Sequence, residues 1–251
     1  MILVILAAGR GKRLGEKTKN SPKCLIDIDG RSLINYNIKF IKKFNKVIII
    51  TGYKDHLIKK NFKNNKSIIF IKNKKYLKTN MVYSLFCAYK YLNKFKEDIV
   101  ISYSDIVFDK SIFKTVQPSG NFLVVYSEWL KIWKLRMKPS MIINDAESLV
   151  VKKNNLISIG NKIKDKMPKY QYTGIIKLRF NSFTNLYNYF KKLKNNKIDF
   201  TSFLNLSISN KIINMKIKKT KKFWFEVDSL NDAKALTLIL KEKKLFSFDK
   251  V

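Results

Sequence analysis

Short β-branched runs alternate with stretches of helical period in the first half of the chain. Ile2–Leu6, Val47–Thr51, Ser67–Ile71 and Ile99–Ser102 read as strands, and Leu33–Lys43, His56–Lys63 and Asn80–Leu92 read as helices. The strands are almost continuously apolar instead of alternating, as expected when a sheet is covered on both faces. This alternation predicts an α/β fold: a three-layer, Rossmann-like mixed sheet, mostly parallel, with helices on both faces. In such a sheet ligands collect beyond the carboxyl ends of the strands, where the segments after Leu6 and Ile101 fall.

Past Asn121 the pattern is mixed. Phe122–Tyr126, Met141–Ile143, Leu149–Val151, Ile157–Ile159, Tyr172–Leu178 and Ile212–Ile217 read as strands, with helices near Phe183–Leu193 and Ser229–Glu242. No linker, internal repeat or Pro-rich tract interrupts the chain. We expect a single domain over residues 1–251, with residues 1–120 forming a nucleotide-binding half and residues 121–251 extending the sheet and supplying an acceptor pocket.

The first strand runs into Ala7-Ala8-Gly9-Arg10-Gly11-Lys12-Arg13-Leu14, followed by Ser21-Pro22-Lys23. Glycines free backbone N–H groups to point at phosphate oxygens, and Lys12, Arg13 and Lys23 add full charges that a neutral ligand would not need. Two familiar phosphate loops are excluded. A Walker loop needs Ser or Thr after Gly-Lys, where this chain has Arg13, and the dinucleotide fingerprint needs a third glycine where it has Leu14.

With 46% hydrophobic residues over 251 positions, the chain can bury a sizeable core. It lacks an apolar run long enough for a membrane span, and Met1 leads straight into a strand, which predicts a soluble cytoplasmic protein. Cys24 and Cys87 read as reduced core thiols. His56 is the single histidine, so chemistry built on a histidine base or a multi-histidine metal centre has little to use. The formal charge of +34 would attract any polyanion, but the lysines are spread along the chain, often beside asparagine, and accompany no nucleic-acid-binding motif. That charge is a background favourable to a nucleotide, and no specific nucleic-acid partner is expected; purely electrostatic nucleic-acid binding stands as the alternative from another class.

Acidic residues are scarce, 18 in all, yet Asp105 follows one apolar strand and Asp228 another. A carboxylate at the end of a buried strand is costly unless paired or metal-bound. On the residues alone two readings stay open: Asp105 caps a turn and Asp228 caps the helix beginning at Ser229, or the two converge on a Mg²⁺ ion.

The run Leu6-Ala7-Ala8-Gly9-Arg10-Gly11-Lys12-Arg13-Leu14, with Thr18, Pro22-Lys23, Gly30 and Leu33-Ile34, resembles the signature of nucleotidyltransferases that activate phosphorylated small molecules with an NTP. Thr79-Asn80-Met81-Val82-Tyr83-Ser84-Leu85 is most similar to the phosphocholine cytidylyltransferase branch, and the chain also resembles phosphoglutamine cytidylyltransferases of capsule phosphoramidate synthesis. The resemblance implies a nucleotide held by Leu6, Ala7, Ala8, Gly9, Gly11, Lys12, Arg13, Asn80, Ser84 and Ser104, with Lys23, Arg13 and Asp105 at the reacting phosphate and Mg²⁺ on Asp105 and Asp228. It also implies transfer of CMP from CTP to a phosphorylated small-molecule acceptor, with release of pyrophosphate, for surface polysaccharide decoration. A sugar 1-phosphate acceptor with UTP or dTTP is the alternative within the same fold.

For the acceptor, Trp129, Arg136, Asp145, Glu147, Lys162, Tyr172 and Glu226 are the candidates. Aromatics beside carboxylates suit an amine or quaternary ammonium, while Arg136 would match a carboxylate on a zwitterionic acceptor. Trp129 and Trp133, four apart, are equally compatible with the buried face of a helix.

Overall fold

A computed structural model of the protein describes residues 1–38, 41–163 and 167–243. Its strands are β1 (Ile2–Ala7), β2 (Asp27–Ile28), β3 (Arg31–Ser32), β4 (Lys46–Thr51), β5 (Ile68–Lys72), β6 (Ile99–Tyr103), β7 (Ile106–Phe108), β8 (Phe122–Tyr126), β9 (Glu147–Lys152), β10 (Asn155–Lys162), β11 (Gln171–Leu178), β12 (Lys216–Thr220) and β13 (Trp224–Glu226). Nine of them form one sheet in the order β5-β4-β1-β6-β11-β8-β12-β10-β9. The pairings make β11 and β10 the reversed strands, so the sheet is mixed and mostly parallel, as expected.

Strand β1 explains the unbroken apolar pattern. Its alternate residues Leu3, Ile5 and Ala7 enter one core with the helix Leu33–Ile38, while Ile2, Val4 and Leu6 enter the opposite core with the helix Phe180–Leu193. Both sets are buried because both faces are covered.

Several expected boundaries shift. Met141–Ile143 is not a strand; it lies inside the helix Pro139–Asp145, where Pro139 begins the first turn with the backbone angle a helix requires. The expected helix Asn80–Leu92 is broken into Met81–Phe86, capped by the Asn80 side chain, and Tyr89–Phe95. The strand expected at Ile212–Ile217 begins only at Lys216 and continues to Thr220. Leu33–Lys43 is helical to Ile38 and forms a 3-10 turn at Ile41–Lys43, residues 39 and 40 lying outside the described residues. The helix Phe200–Ser209, capped by the Asp199 carboxylate on the Ser202 N–H, has no counterpart in the strand-and-helix reading. No helix among the described residues is long and apolar enough to cross a membrane.

A two-stranded ribbon positions the acidic residues. Strands β7 and β13 pair antiparallel with Glu226 opposite Ile106, and the Val227 N–H donates to the Asp105 carbonyl at 3.0 Å. Residues far apart in sequence therefore meet at the carboxyl end of β6. Asn37 fastens the ribbon to the sheet: it is buried, donates to the Ile106 carbonyl at 2.9 Å and accepts from the Ser102 hydroxyl at 2.8 Å. Asn37→Ala strands a buried carbonyl, so the variant should lose about 2–3 kcal/mol of stability, measured by urea unfolding.

Candidate active site

The glycine loop after β1 leads into two 3-10 turns over Lys12–Thr18, kinked at Gly15, whose hydrophobic anchor is the buried Leu14. That anchoring role accounts for a leucine where a dinucleotide loop carries glycine. The Thr18 hydroxyl stands 3.0 Å from the Gly11 carbonyl and 3.2 Å from that of Gly15, and ties the loop into a fixed arc. Gly11 has φ 77°, and a Cβ there would stand 2.5 Å from the Cβ of Lys23. Only glycine both accepts that left-handed backbone and lets the Lys23 stem pass.

Lys23 is the centre of the cluster so made. Its ammonium donates to Asp105 Oδ2 and to Asp228 Oδ1, both at 2.6 Å, and Arg13 adds a 2.8 Å contact to the same Asp228 oxygen. Burial works against the Lys23 charge, but the attraction of Asp105 and Asp228 outweighs it and raises its pKa above the ordinary lysine value. Burial likewise opposes ionisation of Asp228, and Lys23, Arg13 and Arg136 together hold it below the usual carboxylate range. Glu226 goes the other way: burial pushes its carboxyl up to about 8, reinforced by the negative charges of Asp228 and Asp105 and opposed by Arg136 and Lys23.

Asp105, Glu226 and Asp228 can each present an oxygen within 4.8 Å of the others. Oxygen donors of this kind suit a hard divalent cation, and Asp105 Oδ1, buried without a hydrogen-bond partner, is a free ligand atom. Glu226 joins the two aspartates here, although the sequence pointed to it only for the acceptor.

Two clefts meet on this cluster. The first, of about 310 Å³, is lined by Leu6, Ala7, Ala8, Gly9, Gly11 and Arg13 from the loop, by Lys23 and Cys24, by Tyr76, Thr79, Asn80, Met81 and Ser84, and by Tyr103, Ser104, Asp105, Glu226 and Asp228. The second, of about 320 Å³, is walled by Trp133, Asp145, Glu147, Gln171, Tyr172 and Gly174, together with Asp199, Phe200 and Thr201. Arg13, Met81, Tyr103, Glu226 and Asp228 belong to both. Each volume falls in the range of a small-molecule pocket. Burial drives the Tyr103 and Tyr172 phenols far above their usual pKa, so both remain neutral, and it raises Glu147 as well, with Asp199 and Asp145 adding to the effect.

Four expected site residues stand elsewhere. Lys12 is exposed and outside the lining of the first cleft, and Lys162 is exposed at the end of β10, in register with Glu147. Trp129 is core: it is buried and its indole donates to the Pro168 carbonyl at 3.1 Å. Arg136 lies behind the carboxylates instead of facing an acceptor. Its side chain is 1% exposed, its Nε bonds Asp232 at 3.0 Å, its Nη2 reaches Asp228 and Asp232 at 3.3 Å, and its Nη1 stands 3.7 Å from Glu226. Three acidic side chains of one segment claim it, leaving no face for a substrate carboxylate. Tyr76, Asp199, Phe200 and Thr201 went unread as lining residues. Of these only Asp199 carries a local sign, an acidic residue three before Ser202 at a helix start.

Comparison with known proteins agrees with this geometry. Residues 3–125 match the MobA-like NTP transferase domain. The chain is 32% identical to the CTP:phosphoglutamine cytidylyltransferase of Campylobacter jejuni, across 92% of this chain and 97% of that protein. It is also 32% identical, over 59% of its length and 66% of the relative's, to the choline-phosphate cytidylyltransferase of Streptococcus pneumoniae. Among solved structures, the inositol-1-phosphate CTP transferase of T. maritima superposes with a TM-score of 0.76 at 22% identity, covering 96% of each chain. The chain belongs to the nucleotidyltransferase family, on the side of it where the phosphoglutamine and choline-phosphate cytidylyltransferases lie.

Proposed function

We propose that this protein is a cytidylyltransferase that moves CMP from CTP onto the phosphate of a small acceptor and releases pyrophosphate. The observation that carries this reading is the junction of two clefts on one cluster of Lys23, Arg13, Asp105, Glu226 and Asp228. The glycine loop and Asn80, Ser84 and Ser104 wall the nucleotide side. The choice of cytosine rests on the activities of the related cytidylyltransferases.

The chemistry needs no histidine. A phosphomonoester is ionised at neutral pH, its second pKa being about 6, so its oxygen attacks the α-phosphorus directly. A phosphorus–oxygen bond forms there while the bond to the β-phosphate bridging oxygen breaks, and pyrophosphate carries the electron pair away. The enzyme's task is to align the two phosphates and neutralise their charge, which falls to Lys23 and Arg13. Asp105, Asp228 and Glu226 would hold Mg²⁺, which supplies positive charge at the α-phosphate when bound. His56, exposed on the helix Asp55–Asn61, has no part in it.

On the acceptor side Trp133, Tyr172 and Phe200 stand beside Asp145, Glu147 and Asp199, and among the described lining residues Arg13 alone is cationic. That composition favours an acceptor whose far end is an amine or quaternary ammonium. With Arg136 engaged by carboxylates, an acceptor carboxylate has no dedicated partner there. The product, a CDP-activated small molecule, would be the donor for decoration of a surface polysaccharide, made in the cytoplasm.

Pyrophosphate release measured over four NTPs against phosphocholine, phosphoethanolamine, phosphoglutamine and glucose 1-phosphate, with Asp105→Ala as blank, should give its largest rate with CTP and an amine-bearing phosphate. A preference for UTP or dTTP with glucose 1-phosphate sinks the proposal. Lys23→Met should lower kcat by about 10²–10³-fold, read in the same assay, because it removes a preorganised charge at the reacting phosphates. Glu226 carries a proton up to about pH 8 and must lose it to bind a cation. Mn²⁺ affinity measured by calorimetry should therefore rise with pH through that value, with proton release, and Glu226→Gln should flatten the profile.

A further inference from the structure

Behind the three carboxylates lies a second, buried ion pair that the proposed chemistry does not use. Asp232 sits on the first turn of the helix Leu230–Lys243 and makes two different kinds of contact. One oxygen, Oδ2, accepts the main-chain N–H groups of Asp228 and Ser229, both at 2.8 Å, while the Ser229 hydroxyl accepts the Asp232 N–H at 3.2 Å. This reciprocal cap fixes the backbone from which the Asp228 side chain springs. The other oxygen, Oδ1, takes the Arg136 Nε at 3.0 Å, and the Arg136 Nη2 also reaches Oδ2 at 3.3 Å. Arg136 in turn holds Asp228 Oδ2 at 3.3 Å, and its Nη1, buried and without a hydrogen bond, points its charge at Glu226 from 3.7 Å. Trp133 lies under the guanidinium, 4.8 Å from its carbon, and closes off the remaining side.

We propose that Asp232 and Arg136 are positioning residues that set the divalent-cation affinity of Asp228 and Glu226, an inference that rests on the metal role given to those carboxylates above. The electrostatic logic is one of offset. Arg136 alone would drain negative charge from Asp228 and make it a poorer cation ligand. Asp232 returns that charge to the guanidinium while its geometry keeps the guanidinium pinned. The pair thereby orients Asp228 through its back oxygen, leaving Oδ1 to the cleft, without cancelling the charge the cleft needs. Outer partners of metal-binding side chains commonly change metal affinity by about 10–100-fold when removed.

Asp232→Asn acts mainly on the ion pair: it removes the charge that faces Arg136 and leaves the cap an acceptor oxygen. Its amide oxygen can keep the cap on Asp228 and Ser229, while its amide nitrogen meets the Arg136 Nε as donor against donor. Mn²⁺ binding to the nucleotide-free protein, followed by electron paramagnetic resonance, should weaken about tenfold, with melting temperature followed in parallel. Arg136→Gln, which removes the charge and keeps part of the volume, is the second variant, and it should change the Mn²⁺ affinity as well. Asp55→Asn, which loses contacts to Lys59 and Lys72 away from the clefts, is the control and should lower the melting temperature with Mn²⁺ affinity unchanged. If Asp232→Asn and Arg136→Gln bind Mn²⁺ like the wild type, or if affinity follows melting temperature across all three variants, the pair is a helix cap and a structural salt bridge only. If the wild type binds no more Mn²⁺ than Asp105→Ala, it is the metal role of the carboxylates that falls, and the positioning role with it.

Discussion

Three carboxylates that can place oxygens within 4.8 Å of one another, at the covered end of a sheet, are the constraint around which this molecule is built. Such a group repels itself and loses hydration, so it persists only where cations stand close enough to repay both costs. Lys23 does so at 2.6 Å from two of the three. The features that surround it follow from that requirement. Gly11 is glycine so that the Lys23 stem can pass, Thr18 and Leu14 fix the loop that carries Gly11, and the ribbon of β7 and β13 brings together acidic residues more than a hundred positions apart.

The same cluster divides the molecule's electrostatics. Over the surface the chain carries a charge of +34, a field that draws in a triphosphate from a distance. Around the second cleft the sign is reversed locally by Asp145, Glu147 and Asp199, beside aromatic side chains. A basic exterior with an acidic interior recess suits the proposed reaction between a polyanion and an amine-bearing phosphate, in which the two reactants enter by different walls and meet where the walls join. Lysines scattered without a motif thus have a use that does not depend on their exact positions, whereas each acidic residue in the recess does.

Much of this was legible in the chain because it is encoded locally. Both-faces burial leaves an unbroken apolar run such as Ile2–Leu6, and a glycine loop followed by Arg13 and Lys23 carries its chemistry in a few dozen residues. Legibility ended where a side chain's role depends on a partner far away. Arg136 beside two tryptophans has the local look of a ligand contact, and nothing near it in sequence says that Asp228 and Asp232, more than ninety positions on, will bind it. Asp232 could have been noticed as the last member of a Ser-x-x-Asp cap, but its bond to Arg136 could not. Met141–Ile143 failed for the opposite reason: a three-residue apolar signal was weaker than the helix start that Pro139 supplies.

The two oxygens of Asp228 show how the parts fit. Oδ1 faces the cleft, where Lys23 and Arg13 approach it, and Oδ2 faces the interior, where Arg136 approaches it. A carboxylate held in this way from behind is biased toward offering a single oxygen to a cation in the cleft. That is the mode that suits a small octahedral ion, which keeps several waters and takes few protein ligands, better than a large ion that accepts two oxygens from one carboxylate. In the proposed metal site, a preference for magnesium over calcium would come from the buried side as much as from the oxygens that face the cleft, and would tie the helix cap at Asp232 to the proposed chemistry.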